Sequence, residues 1–163
     1  MRYHQLRKMD ISNGPGIRVS IFVQGCTFHC KGCFNPETWD FKGGMELTDD
    51  VIDKLLIDAD KNYIRGLSIL GGEPLHPSNI EGVTNIAKKF KEKFKDKDIW
   101  LWSGFLFDDK KDEEIFKYID VVVDGQFKIE EKDPRLSWKG SKNQRVIDVK
   151  KSLKSKKIVL YED

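Results

Sequence analysis

Cys26-Thr-Phe-His-Cys30-Lys-Gly-Cys33 holds every cysteine of the 163-residue chain. Three thiols at this spacing can face one centre from a single tight loop, and iron–sulfur cubanes are held by cysteine thiolates, ordinarily four of them. A cubane bound here would keep one iron without a protein ligand, open to a small molecule able to take an electron directly from the cluster. Two simpler readings compete. A structural zinc could be closed by His4, His29 or His76, and two of the cysteines could act as a redox dithiol. Three cysteines in one loop cannot build a paired disulfide framework, so the expected compartment is reducing and cytoplasmic.

The segment just before the cysteines fixes where they stand. Ile17, Val19, Ile21 and Val23 alternate with Arg18, Ser20 and Phe22, which is the period and the β-branched content of a strand. That strand delivers the chain to Gly25-Cys26, so the loop lies past a strand's carboxyl end, the edge where α/β sheets place chemistry. Upstream, Asp10-Ile-Ser-Asn-Gly-Pro-Gly16 reads as a turn. Downstream, Thr48 caps an expected helix over 49–62. A strand over 66–70 follows, then a helix over 79–94 that repeats Val83, Ile86, Ala87, Phe90 and Phe94 at helical spacing. Strands over 98–102 and 119–123 flank a short helix near 112–118. The repeated strand–loop–helix unit predicts an α/β fold with a mainly parallel sheet. A complete eight-stranded barrel typically takes about 250 residues. The expectation for this shorter chain is therefore an open, partial (β/α) barrel in one domain spanning 1–163. Beyond it come a loop over 133–143, possible strands at 145–149 and 157–161, and a basic run over 150–157 read as exposed surface.

Composition narrows the function classes. Net charge is only +2 with 34% charged residues of mixed sign, which gives no electrostatic footprint for nucleic acid. The lysines between 88 and 97 are interleaved with Glu92, Asp96 and Asp98, as on a solvated face. No apolar run approaches the roughly 18 residues of a membrane span, and the first residues lack the apolar core of a signal peptide.

A second motif, Gly71-Gly72-Glu73-Pro74, closes the 66–70 strand. Two glycines remove side chains where a ligand must approach the backbone, and their carbonyls can accept from an ammonium group. Alone the motif reads as a turn. Phosphate-binding readings fail: Gly14-Pro-Gly16 precedes its strand, Val19 stands where a third glycine is needed, and the chain contains no GxxxxGK[ST].

With Cys26, Cys30 and Cys33 on the preceding strand end, the pair of motifs resembles the radical S-adenosylmethionine (SAM) enzymes. Asn13-Gly-Pro-Gly-Ile-Arg18, Ile99-Trp-Leu-Trp-Ser-Gly104, Val122-Val-Asp-Gly-Gln-Phe127 and Trp138-Lys-Gly-Ser-Lys-Asn-Gln144 narrow the resemblance to the activases of anaerobic (class III) ribonucleotide reductase. It covers about 1–149 and leaves the tail 150–163 outside. The resemblance implies a [4Fe-4S] cluster on Cys26, Cys30 and Cys33. It implies SAM held against Gly32, Cys33, Phe34, Gly71, Gly72, Glu73, Pro74 and Ser103, and a glycyl radical formed on the reductase's large subunit. A one-electron donor such as flavodoxin would supply the reducing equivalent. Many relatives carry an aromatic residue where this chain has Gly32, which leaves Phe34 or the Gly32 backbone as the neighbour of the adenine. The alternatives are an activase of another glycyl-radical enzyme, such as pyruvate formate-lyase, and a zinc-stabilised binding module without catalysis. Arg135, Trp138 and Lys139, in a loop without apolar periodicity, read either as a docking surface or as side chains packed onto their own domain.

Overall fold

The computed structural model describes residues 1–162. β1 (Arg2–Asp10) runs antiparallel to β2 (Ile17–Val23), and the two-residue β3 (Met45–Glu46) pairs with the start of β1. The chain continues through α1 (Asp49–Ala59), β4 (Ile64–Gly71), α2 (Ile80–Lys93), β5 (Asp98–Trp102), the one-turn α3 (Phe107–Lys110), β6 (Val121–Asp124), β7 (Arg145–Asp148) and α4 (Val149–Ser155). All seven strands form one sheet in the order β3-β1-β2-β4-β5-β6-β7. The expected α/β class is observed: β2, β4, β5 and β6 form a parallel centre, with β1 and β7 antiparallel on its flanks.

Strand alternation sends two sets of side chains to two different covers. Val19, Ile21, Leu67, Ile69, Ile99, Leu101 and Val122 join the principal core with Ile52 and Leu55 of α1 and Val83, Ile86 and Phe90 of α2. On the other face Trp100, Val121 and Val123 are packed by Trp102, Trp138, Val146 and Tyr161. Parallel strands are ordinarily buried on both faces, and here the second cover comes from irregular chain rather than helices.

At the amino ends of the parallel strands, a buried Arg18 is locked in place. Its guanidinium donates to Ser68 Oγ at 2.7 Å, Pro15 O at 3.0 Å, Leu67 O at 3.0 Å and Asp98 Oδ1 at 2.5 Å. This ties the 10–16 turn to β4 and β5. Asp10 anchors the same turn by accepting from Ser12, Asn13 and Ser20.

Four expectations need correction. Residues 2–9, given no element from the sequence, form β1 together with Asp10, and its register shifts between Tyr3 and Gln5 and between Arg7 and Asp10 break its alternation. The helix expected near 112–118 is only a 3-10 turn at Glu114–Lys117, and the one-turn α3 lies ahead of it. The strand expected over 157–161 reduces to one bridge, Leu160 to Ile147. The lysines of its basic approach are exposed as expected, but the segment also carries an unforeseen α4, capped by Asp148, which accepts from Lys151 N at 3.0 Å, and seated by buried Val149 and Ser152. Thr48 does cap α1, accepting from Val51 N at 3.3 Å. Among the described residues no helix is long and apolar enough to cross a membrane.

Candidate functional site

Parallel strands end side by side, so the loops after them form one rim. Val23 pairs with Gly71 and Trp102 with Val123. The loops beginning at Gln24, Gly72, Ser103 and Gly125 therefore leave the sheet as neighbours. They surround a cavity of about 660 Å³ whose wall includes Cys26, Cys30, Cys33, Gly71, Gly72, Glu73 and Ser103. Residues separated by up to 77 positions in the chain are brought together by strand order alone.

The cysteine loop is pinned by its backbone. Gly25, at φ +109°, donates to Thr38 O at 2.6 Å and accepts from Glu73 N at 2.7 Å; a Cβ there would fall 2.2 Å from the Phe41 ring. Cys26 N donates to Trp39 O at 3.1 Å and Cys33 N to Cys30 O at 3.0 Å. Cys33 Sγ accepts from Asn35 N at 3.4 Å, and Cys30 Sγ lies 4.0 Å from Gln126 Oε1. Burial pushes the Cys26 and Cys30 thiols up. The backbones of Phe28 and His29 oppose this at Cys26, and that of Phe127 at Cys30.

The histidines considered for zinc are engaged elsewhere. His29 is stacked on Trp39, His76 Nδ1 accepts from Ser78 N, and His4 faces Glu37 at 3.9 Å. Among the described residues no three His, Cys, Asp or Glu side chains gather tightly enough to hold a single ion. A cubane gives each thiolate a separate iron, so its ligands must share a cavity rather than a point. Three half-buried thiols on one cavity wall, with backbone N–H groups beside their sulfurs, fit that donor set.

Glu73 is buried and knits two loops. Its carboxylate accepts from Leu75 N at 2.9 Å, Ser103 Oγ at 2.7 Å and Gly104 N at 2.6 Å. Burial raises its pKa to about 7 against those three donors. The hydroxyl of Ser103 is thereby committed to Glu73, although both residues line the cavity. Asn79 extends the knot. Buried, it donates through Nδ2 to Gln24 O, Gly25 O and Glu73 O at 3.3, 3.4 and 3.0 Å.

The remaining expected contacts divide. Phe34 lines the cavity with its ring 5.1 Å from that of Phe127 and under Lys132. Gly32, at φ +76°, lies against Ile129 and outside the cavity wall, as does buried Pro74. The double glycine has a packing reason as well as an access one. A Cβ on Gly72 would come within 2.5 Å of Gly25 O and 2.9 Å of Thr38 O, and one on Gly71, at φ +111°, within 2.6 Å of Val23 N. Trp138 is packed inward: its ring meets Trp100 edge-on at 5.9 Å, and its carbonyl accepts from Trp102 Nε1 at 2.7 Å. Of the 122–127 stretch quoted from the sequence, Gln126 and Phe127 do reach the cavity wall, whereas Asn79 and the Asp124–Arg145 pair were missed. Only the pairing of β6 with β7, which sets Asp124 opposite Arg145, could have pointed to the last.

A family described as a 4Fe-4S single cluster domain matches residues 12–147, which sets aside the zinc reading. The chain is 44% identical over 148 residues to the anaerobic ribonucleoside-triphosphate reductase-activating protein of Vibrio cholerae, covering 88% of this chain and 96% of that one. Proteins of the same name from Enterobacteria phage T4 and Escherichia coli K12 are 42% and 39% identical, each over 90% of this chain and 93% and 97% of their own length.

Proposed function

Because the chain belongs to the anaerobic ribonucleoside-triphosphate reductase-activating proteins, we propose that it is a radical SAM oxidoreductase that installs a glycyl radical on the large subunit of anaerobic ribonucleotide reductase. The observation that carries this reading is one cavity bounded by three thiols and by a double-glycine turn from the neighbouring strand. When bound, the cofactors would supply one-electron reductive cleavage of the SAM sulfonium and, through it, removal of an α-hydrogen from a glycine of the partner.

The protein's own share is holding and orienting. Cys26, Cys30 and Cys33 would ligate the cluster, leaving one iron for SAM. Gly71 and Gly72 bring backbone rather than side chain to the cavity wall. Glu73, Ser103 and Gly104 keep that wall rigid through their hydrogen bonds. Phe28, packed edge-on against Phe105 at 4.9 Å, contributes an aromatic ring to the cavity wall. In this reading the sheet is a partial barrel of radical SAM type and 1–163 is one domain. The protein works in the cytoplasm with a one-electron donor such as flavodoxin, without nucleic acid or membrane.

The test is anaerobic reconstitution with iron and sulfide, followed by dithionite, SAM and a class III reductase. The expected result is methionine and 5′-deoxyadenosine, with a glycyl-radical doublet by EPR on the reductase. Replacing Cys26, Cys30 or Cys33 singly by Ala should take SAM cleavage to background. Full activity in any of the three would overturn the ligand set. A doublet on pyruvate formate-lyase and none on the reductase would transfer the activity to that partner.

A further inference from the structure

We propose that Gln126 donates a side-chain hydrogen bond to the Cys30 sulfur and so sets the reduction potential of the cluster held there. The inference rests on the reading of Cys30 as a cluster ligand, and on neither SAM nor the reductase.

Gln126 belongs to the loop after β6, 96 residues from Cys30, yet its amide oxygen lies 4.0 Å from Cys30 Sγ. The backbone that presents it is clamped on both sides. Gly125, at φ +99°, turns the chain out of the strand. Asp124 just before it is gripped by Arg145 through Nε at 3.0 Å and through a second guanidinium nitrogen at 2.6 Å. Gln144 Nε2 donates to Gly125 O at 3.0 Å and Asn143 Nδ2 to Gln126 O at 2.8 Å. Three consecutive residues of one segment thus fix three consecutive residues of the other. The Gln126 side chain itself is exposed. The clamped backbone confines the ordering that the contact requires to the Gln126 side chain.

The chemistry fixes which end of the amide faces sulfur. A free thiol can donate to Oε1, the arrangement observed, but a ligated thiolate has no proton and only accepts. Rotation about the last side-chain bond turns Nε2–H to the sulfur without moving the clamped backbone. The backbone N–H of Phe127 lies beside the same sulfur, so this loop would bring two donors to one ligand. Hydrogen bonds to cluster sulfurs are among the factors that set iron–sulfur potentials. One-electron reduction adds negative charge to the cluster, so an N–H donor stabilises the reduced form more than the oxidised form and raises the potential. Gln126 is accordingly a positioning and tuning residue rather than a catalytic one.

The experiment is anaerobic spectroelectrochemical titration of the reconstituted full-length protein, without SAM or partner, for wild type, Gln126→Leu and Gln126→Glu. Iron and sulfide content should match in all three. The midpoint should move to more negative values in Gln126→Leu and further in Gln126→Glu, whose carboxylate accepts and repels where the amide donates. Three equal midpoints, or a positive shift in Gln126→Leu, would overturn the proposal. If the leucine variant loses its cluster, the neutral Gln126→Met, which keeps the side-chain length without a donor, decides by the same sign. A wild type that takes up no cluster would remove the premise. Shifted midpoints in a protein that yields no glycyl radical would sustain this inference and remove the proposed function.

Discussion

Arg18 and Glu73 are both buried charged residues, at opposite ends of the same parallel strands, and they are satisfied in different ways. Arg18 meets a carboxylate, two carbonyls and a hydroxyl, so a counter-ion opposes the burial that still lowers its pKa. Glu73 meets two backbone N–H groups and a hydroxyl. Dipoles alone do not offset its burial, and its pKa rises to about 7. One end of the sheet is closed by an ion-paired knot that locks a turn. The other keeps an under-compensated carboxyl beside an open cavity, and perturbed groups of that kind gather at functional sites.

Breaking the ion pair at the first end should have the largest effect. Arg18→Met leaves Asp98 and three buried acceptors without their donor, and about 3–5 kcal/mol of stability should disappear from urea unfolding. A loss under about 1 kcal/mol would mean that the knot is not what fastens the turn. At the second end the effect depends on pH. The folded pKa of Glu73 lies above its ordinary value of 4.5, so the folded state binds its proton more tightly. The stability it lends is therefore full below about pH 4.5 and lost as pH rises toward 7, by roughly 3 kcal/mol at most. Urea midpoints of the metal-free protein should fall across that window and should flatten in Glu73→Gln; parallel profiles would place the titration elsewhere.

Smaller effects probe the packing between these ends. Gly72→Val drives a side chain into the Gly25 backbone, which is bonded to Cys26. The expected outcome is a loss of about 1–3 kcal/mol, together with lower iron content after reconstitution. Unchanged iron uptake would show that the cysteine loop yields without consequence. Trp138→Phe should change stability least, by under about 1 kcal/mol. The indole Nε1 of Trp138 is buried without a hydrogen-bond partner, and deleting an unsatisfied donor offsets part of the lost ring volume. A drop of several kcal/mol in a thermal melt would contradict that offset.

Legibility in the sequence followed the range of the interaction concerned. β2, β4 and β5 could be read because alternation and β-branched residues act over neighbouring positions, and Thr48 could be read because a cap reaches only three residues ahead. β1 escaped because its two register shifts hide the alternation. α4 escaped because five lysines between 150 and 157 mask two buried contacts. Loop tryptophans are ambiguous by nature, and only the Trp100 surface decided that Trp138 turns inward.

The sequence by itself determined the chemistry available: three thiols within eight residues, a double glycine at a strand end, and the alternation that places both at carboxyl edges. These are local properties, set by covalent spacing and by the preferences of adjacent residues. Tertiary structure alone decided which loops meet. The order β2-β4-β5-β6 sets Cys26 beside Gly72, ties Glu73 to Ser103 and Gly104, and carries Gln126 to Cys30. No local pattern encodes such contacts, because they depend on strand neighbours that only the packed sheet defines.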